Sequence, residues 1–337
     1  MLKSGRLGNQ LLRFLHLLAW VIDNDHSITI CNVNFWQYAA LFEHWKDNPY
    51  CNYPAKANQR QLPDVIYKYL CGYSHRSNQA PAKQEVTENN PKQAQLRKRH
   101  HMLHELIALV PGCASIRTEK IFKNTEKVVQ QVNLDNKETI ESIKNNKFTL
   151  IGGWHVSAWS ALQENETRAR DLFTIHPLYR QAPLDLISYI REKHNLVVGV
   201  LIRQGDYRAW RGGHHFHTVQ QYFEYMQLVR DLYPTIDVAF LVVSDEVIET
   251  KDSDNLNVYL GPGSRTGPGH PIENLLALSL CDLILSAPST FSALAGFLGE
   301  VPLLPISSGP TQNLHTVPLI NTLFDARHHA EFNEAVK

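Results

Sequence analysis

Apolar residues along this chain are most regularly spaced after residue 175. Residues 197–202 (VVGVLI) contain no polar break. Such a run is too continuous for a strand with one wet face, so both faces should be covered, as in a parallel sheet. Further strands are predicted at 237–243 and 282–286, with a short one at 301–305. Helices are predicted over about 183–194, 218–232 and 271–280, and again from Ser289. After the break at Pro177, alternating helices and apolar strands predict a doubly wound α/β domain spanning 176–337.

The first domain, 1–175, is less regular. A glycine-bearing turn at 4–10 (SGRLGNQ) precedes an apolar helix at about 11–23, which Arg13 and His16 interrupt. Residues 27–33 (SITICNV) have the β-branched content of a strand. Aromatic residues follow (Phe35, Trp36, Tyr38, Phe42, Trp45, Tyr50, Tyr53), and 74–95 is the least structured stretch. A helix is predicted over 137–146, then a strand at 148–152 that ends in Gly-Gly-Trp-His.

Length and composition narrow the classes. A chain of 337 residues with 43% hydrophobic and 20% charged residues is an ordinary globular protein with room for two domains. Thirty-three basic residues balance thirty-three acidic ones, so no global field favours nucleic acid or an anionic membrane. The basic run 92–104 (KQAQLRKRHHMLH) reads as a solvated loop or helix end. Five cysteines without a CxxC suggest neither a disulfide framework nor a zinc site and fit a reducing compartment. The apolar stretch 11–22 is too short to span a bilayer and lacks signal-peptide features, so the chain reads as cytoplasmic.

Candidate chemistry sits at three strand ends of the second domain: Arg203-Gln204-Gly205-Asp206, Ser244-Asp245-Glu246, and Ser286 to Phe291. Parallel strands would bring all three to one sheet edge, where open α/β sheets bind ligands. A guanidinium there can grip a phosphate through two hydrogen bonds. Ser289 or Thr290 can cap the helix that follows, whose N-terminus favours phosphate oxygens. Taken singly, an Arg–Asp pair closing a turn and a Ser capping a helix need no ligand; their joint occurrence points to a nucleotide site.

With those residues in view, the chain resembles the α1,2-fucosyltransferases and, more distantly, the α1,6- and protein O-fucosyltransferases. Residues 5–10 (GRLGNQ) look like the family's opening GxGNQ loop, and 152–159 (GGWHVSAW) is similar to its GYWQSxKYF element. Residues 200–207 (VLIRQGDY) match the spacing of HxRRGDY, and 273–292 (ENLLALSLCDLILSAPSTFS) resembles EDxxLMSxCxxxIxxNSTFSWW. The resemblance implies a GT-B architecture, with two Rossmann-like domains facing one cleft. It implies inverting, metal-independent transfer of fucose from GDP-fucose to a glycan hydroxyl, α1,2 to galactose, with no cofactor beyond the donor. Arg203 and Asp206 would be the catalytic pair. Gly8, Asn9, Arg203, Gly205, Asp245, Ser289, Thr290 and Phe291 would bind the donor, Asp245 by reading the guanine edge. His214 and His215 are candidates for the base or for an acceptor contact.

The departures are specific. Leu201 stands in place of the family's His, and Gln204 in place of its second Arg, which implies a less positive donor site. Asp23-Asn24-Asp25 and Asp252-Ser253-Asp254 read as polar turns rather than DxD metal motifs. The acceptor implied is an oligosaccharide or polysaccharide precursor in a bacterial pathway, and a lipid-linked one would bring peripheral association with the inner membrane. Two alternatives stay open: the same fold using another nucleotide sugar, and a sugar-nucleotide-binding homologue without catalysis.

Overall fold

The computed structural model describes residues 7–24, 28–31, 38, 40–43, 49–52, 91–117, 119–123, 126–130, 132–153, 156–249, 255–264 and 269–306. The chain divides into two compact units, Met1–Thr174 and Ile175–Lys337.

Unit 1 is organised around α1 (Leu7–Asn24), buried over nearly its whole length. The helix starts earlier than the sequence reading has it, so Gly8, Asn9 and Gln10 form its first turn instead of an opening loop. Leu7 explains the difference, because Leu7, Leu11, Phe14, Leu15 and Leu18 make one continuous stripe at helical spacing. Of the strand expected at 27–33, residues 28–31 are described, and Ile30–Cys31 form β1, parallel to β2 (Cys51–Asn52).

The basic run read as a solvated loop or helix end lies inside α2 (Pro91–Ala108). Proline is tolerated at a first helical position, and strong helix formers follow it. The inward face of α2 carries His104, whose Nδ1 lies 2.7 Å from the Ser115 hydroxyl. Strands β3 (Cys113–Arg117), β4 (Glu119–Lys123), β5 (Glu126–Gln130) and β6 (Val132–Asn133) come next; the sequence reading anticipated none of them. The Asn136 side chain caps α3 (Lys137–Lys144), which leads to β7 (Phe148–Gly152), parallel to β3. β8 (Val156–Ser157) pairs in parallel with β6, and α4 (Trp159–Glu164) and α5 (Glu166–Asp171) close the unit.

Unit 2 follows the predicted alternation within a few residues: α6 (Gln181–Arg191), β9 (Leu196–Ile202), α7 (Val219–Leu232) and β10 (Val238–Ser244). β11 (Asn257–Leu260), α8 (Pro271–Ser279), β12 (Leu283–Ser286), α9 (Thr290–Gly299) and β13 (Leu303–Pro305) complete it. Only β11 was not anticipated; as an edge strand it is half-exposed and lacks a long apolar run. All neighbours are parallel, in the order β11-β10-β9-β12-β13.

Both faces of this sheet are covered, as the unbroken apolar runs require. Tyr222, Phe223, Met226 and Val229 of α7 pack against Val198, Val200 and Phe240. On the other face Ile187, Ile190 and Ala277 pack against Val197, Ala239 and Leu241. The chain passes from β9 outward to β10 and β11, then returns to the opposite side of β9 as β12 and β13. The topological switch point therefore lies between β9 and β12, where open α/β sheets leave a crevice beyond the strand ends.

Candidate active site

Register aligns the three polar strand ends. Ser244 pairs with Ile202 and Ser286 with Leu201, so the residues that follow each strand emerge side by side. Arg203 is the first residue past β9. One of its guanidinium nitrogens donates to Asp206 at 2.6 Å, and another lies 3.3 Å from the Asp245 carboxylate. Its face lies over the Tyr207 ring, 5.0 Å from the centroid. Burial alone would lower the Arg203 pKa, but Asp245 and then Asp206 reverse that and hold it above its ordinary value. A permanent cation thus stands at the switch point, flanked by two carboxylates.

Gly205 leaves room for the arrangement. A Cβ at this position would lie 3.1 Å from Asp245 Oδ2, tighter than most real contacts, so the carboxylate would have to give by a few tenths of an ångström. Tyr207 then joins the tips of β9 and β12, because its buried hydroxyl donates to the Pro288 carbonyl at 2.7 Å. Burial raises the Tyr207 pKa, so the phenol stays protonated as a donor. Beside it, Ser289 caps α9 by accepting from the Phe291 N–H at 3.2 Å, and Ser286 donates to the Ser292 hydroxyl at 2.8 Å. Thr290 and Phe291 form the half-buried first turn of α9. The helix N-terminus that sequence pattern pointed to is therefore present, beside the Arg203 loop.

Gln204 makes structural contacts of its own. Its side chain is buried, and Nε2 donates to the His217 carbonyl at 2.7 Å. Its backbone N–H donates to Asp245 Oδ1 at 2.9 Å. The residue ties the end of β9 to the far end of the loop that begins at Arg208. A nearby second cation does exist in Arg208, two hydrogen bonds of which go to Glu246 at 2.7 and 2.8 Å.

The loop between Arg208 and α7 carries a series of rings. Trp210 lies 5.2 Å from Tyr207 and 5.3 Å from His215, and His215 packs edge-on against His214 at 4.8 Å. Gly212 and Gly213 take φ of 69° and 81°, a region that side chains disfavour, and so allow the chain to reverse here. His214 is exposed while His215 and His217 are buried. Burial, then the neighbouring His214, lowers the His217 pKa. Thr218 ends the loop in a capping box with Gln221, which fixes where α7 begins.

The unit 1 residues singled out by sequence lie apart from this constellation in the chain. Gly8 is buried and Asn9 half-buried on α1. Gly5, Arg6, Trp36, Trp45, Trp154 and His155 lie outside the described residues, as do Asp25 and residues 252–254. Asp23 and Asn24 are the last residues of α1 rather than a polar turn. Among the described residues, no group of three His, Cys, Asp or Glu is placed to hold a metal ion.

Sequence reading missed one contact set altogether. Arg13 of α1 donates to the Gly153 carbonyl, and His16 Nδ1 accepts from the Ala158 N–H at 3.2 Å. The His16 ring also stands edge-on to Trp159 at 4.6 Å. The helix that continues the GNQ segment therefore touches the 152–159 segment, the two parts of unit 1 that carried the family resemblance. Burial lowers the Arg13 pKa to about 9 and the His16 pKa to about 4. The available signal was a charge inside a helix apolar on every side, which must find a partner.

No family model matches the sequence, and no curated protein sequence does. Solved structures give distant likenesses. A point mutant of FUT1 from Arabidopsis thaliana in complex with GDP is 10% identical, with 96% of this chain and 73% of that one covered at a TM-score of 0.44. NodZ alpha-1,6-fucosyltransferase co-crystallised with GDP is 12% identical over 94% of each chain, TM-score 0.47. POFUT1 in complex with GDP is 11% identical over 91% of this chain and 96% of that one, TM-score 0.39. At such identities and scores the likeness carries no argument, and the functional reading rests on this chain's own residues.

Proposed function

We propose that the chain is a glycosyltransferase that moves fucose from GDP-fucose to a glycan hydroxyl, α1,2 to galactose, with inversion and without a metal. The supporting observation is the placement of Arg203. It is a cation at the sheet's switch point, beside the capped N-terminus of α9, within a string spaced like the family's hallmark motif. As the bond to the pyrophosphate breaks, negative charge grows on the leaving oxygen, and preorganised donors there lower the barrier. Arg203 would supply that charge, and the first turn of α9 (Thr290, Phe291) would add N–H donors. Asp206 and Asp245 hold the guanidinium plane in place. The guanine contact implied for Asp245 competes with these bonds, since Oδ1 already accepts from Gln204.

In this reading the chain is a GT-B enzyme, and Gly8 and Asn9 belong to its donor-binding residues. His214 or His215, on the glycine-hinged loop, would take the acceptor proton unless a leaving phosphate oxygen does so. No cofactor beyond the donor is invoked. A second reading, binding without turnover, draws support from Leu201 and Gln204, which stand where the resemblance has a His and a second Arg. The test is release of GDP from GDP-fucose with and without a galactose-terminated acceptor. Acceptor-stimulated release, lost in Arg203→Ala, supports transfer; GDP-fucose binding by calorimetry without turnover supports the second reading. Normal activity in Arg203→Ala sinks the proposal, and competition by GDP against other nucleoside diphosphates tests the donor.

A further inference from the structure

The outward face of α2 carries a row of exposed apolar residues. Met102, Leu106 and Leu109 follow one another at helical spacing, opposite the buried His104, with 51%, 55% and 80% of their surface exposed. Val110 in the next turn and Phe148 at the start of β7 are exposed by 46% and 47%. The two segments are backbone neighbours: Cys113 pairs with Phe148, and the Lys147 N–H donates to the Gly112 carbonyl at 2.9 Å. Five of the twelve exposed large apolar residues among those described thus fall on these two neighbouring segments. Soluble surfaces seldom carry so concentrated an apolar patch without a use.

The surrounding charge says what the patch fits. Residues 92–104 hold four Lys or Arg and no acidic residue. Lys98, Lys144 and Lys147 are exposed; Glu105 is paired with Arg117 at 2.7 Å, and the exposed Glu141 lies 3.9 Å from Lys137. Residues 108–112 form an exposed turn rather than a groove, a shape that enters a soft surface more readily than it receives a protein ridge. Apolar side chains within a basic rim are the composition of segments that lie in the interface of an anionic bilayer. No helix of the described residues is long and apolar enough to cross a membrane.

We propose that this face docks on an anionic lipid bilayer, with Leu106, Leu109 and Phe148 entering the boundary between headgroups and acyl chains and the lysines meeting lipid phosphates. Docking would act at unit 1 and does not depend on the donor assigned to unit 2. The test is co-sedimentation of the full chain with phosphatidylcholine vesicles, with and without phosphatidylglycerol. Binding should require the anionic lipid and weaken with added salt. It should fall by at least about tenfold in Leu106→Ser/Leu109→Ser and by about fivefold in Lys98→Gln. These positions are exposed, so circular dichroism should show an unchanged fold. Absence of binding to either vesicle overturns the proposal, as does binding unaffected by the leucine pair. Self-association in sedimentation velocity that the leucine pair abolishes also overturns it, in favour of a protein interface.

Discussion

Two arginines, one in each unit, are withdrawn from water and treated in opposite ways. Arg203 stands between Asp206 and Asp245 at a sheet edge, and those carboxylates hold its pKa above the ordinary value despite burial. Arg13 is fully buried on α1, its guanidinium donates to the Gly153 carbonyl, and burial lowers its pKa to about 9. A guanidinium held by carboxylates keeps full charge and can exchange one anion for another, which suits a phosphate grip. A guanidinium that pins a backbone carbonyl inside a core has its shape used more than its charge. Burial alone therefore does not mark a functional arginine; the kind of partner does.

The largest effect expected from breaking the comparison is at Arg203. Arg203→Ala should lower acceptor-stimulated GDP release by about 10²–10³-fold, the usual cost of removing one charge-stabilising donor. Arg203→Lys should recover only part, because an ammonium keeps the charge but loses the planar fork. Steady-state assays on both variants check this, with the near-normal fold confirmed by circular dichroism. A lysine variant as active as the parent would mean that charge alone is used.

Arg13 should respond in stability and not in chemistry. Arg13→Ala leaves a cavity and a carbonyl without its donor, a loss of about 3 kcal/mol in unfolding free energy. Arg13→Met should recover much of it, since a buried charge replaced by an apolar side chain of similar length is often tolerated. Urea titration followed by tryptophan fluorescence measures both. If Arg13→Met folded normally yet lost turnover, Arg13 would belong with Arg203 as a functional cation.

The two arginines also differ in how openly the sequence shows them. Residues 197–202 form an apolar run that stops at Arg203, so the strand, its end and the first polar residue beyond it are all legible. Hydrophobic periodicity gave the other strand ends of unit 2 equally well, and β9, β10 and β12 lie within a residue of their predicted limits. Arg13 and His16 appear only as interruptions in an apolar helix, and their partners lie about 140 residues away, beyond the reach of any local pattern. α2 was obscured by its polar composition, and β3 to β6 by short, mixed sequences without clear alternation. Gln204 was legible as a departure from a motif but not in its role, because its partner, the His217 carbonyl, is a backbone atom.

His16 extends the comparison to pH. Burial lowers its folded pKa from an ordinary 6.5 to about 4, so the unfolded chain binds the proton more readily between those values. Stability from the neutral ring is fully present above about pH 6.5 and lost as pH falls toward about 4, a total of about 3 kcal/mol. His16→Asn keeps an acceptor for the Ala158 N–H and removes the titration, so it should flatten the profile. Some slope should persist, because burial also lowers His104 to about 4. Urea midpoints at a series of pH values decide the matter; an unchanged slope would mean that His16 does not set it.

Gln204 gives the smallest effect and the sharpest question, since it adjoins Arg203 but is built like Arg13, a buried side chain pinning a carbonyl. Gln204→Ala should cost about 1–3 kcal/mol in stability by leaving the His217 carbonyl unpaired. It should slow turnover only about tenfold, through a loosened loop between Arg208 and Thr218, well short of the loss in Arg203→Ala. Gln204→Arg separates the two readings of the position. If a cation at this position grips phosphate, Gln204→Arg should raise turnover. If position 204 is a structural clip in this chain, a second guanidinium buried beside Arg203 meets like charge and finds its carboxylates already engaged. The contacts of Gln204 favour the second outcome: lower stability, with no gain in GDP release. A gain in release would instead place residue 204 beside Arg203 as a donor contact.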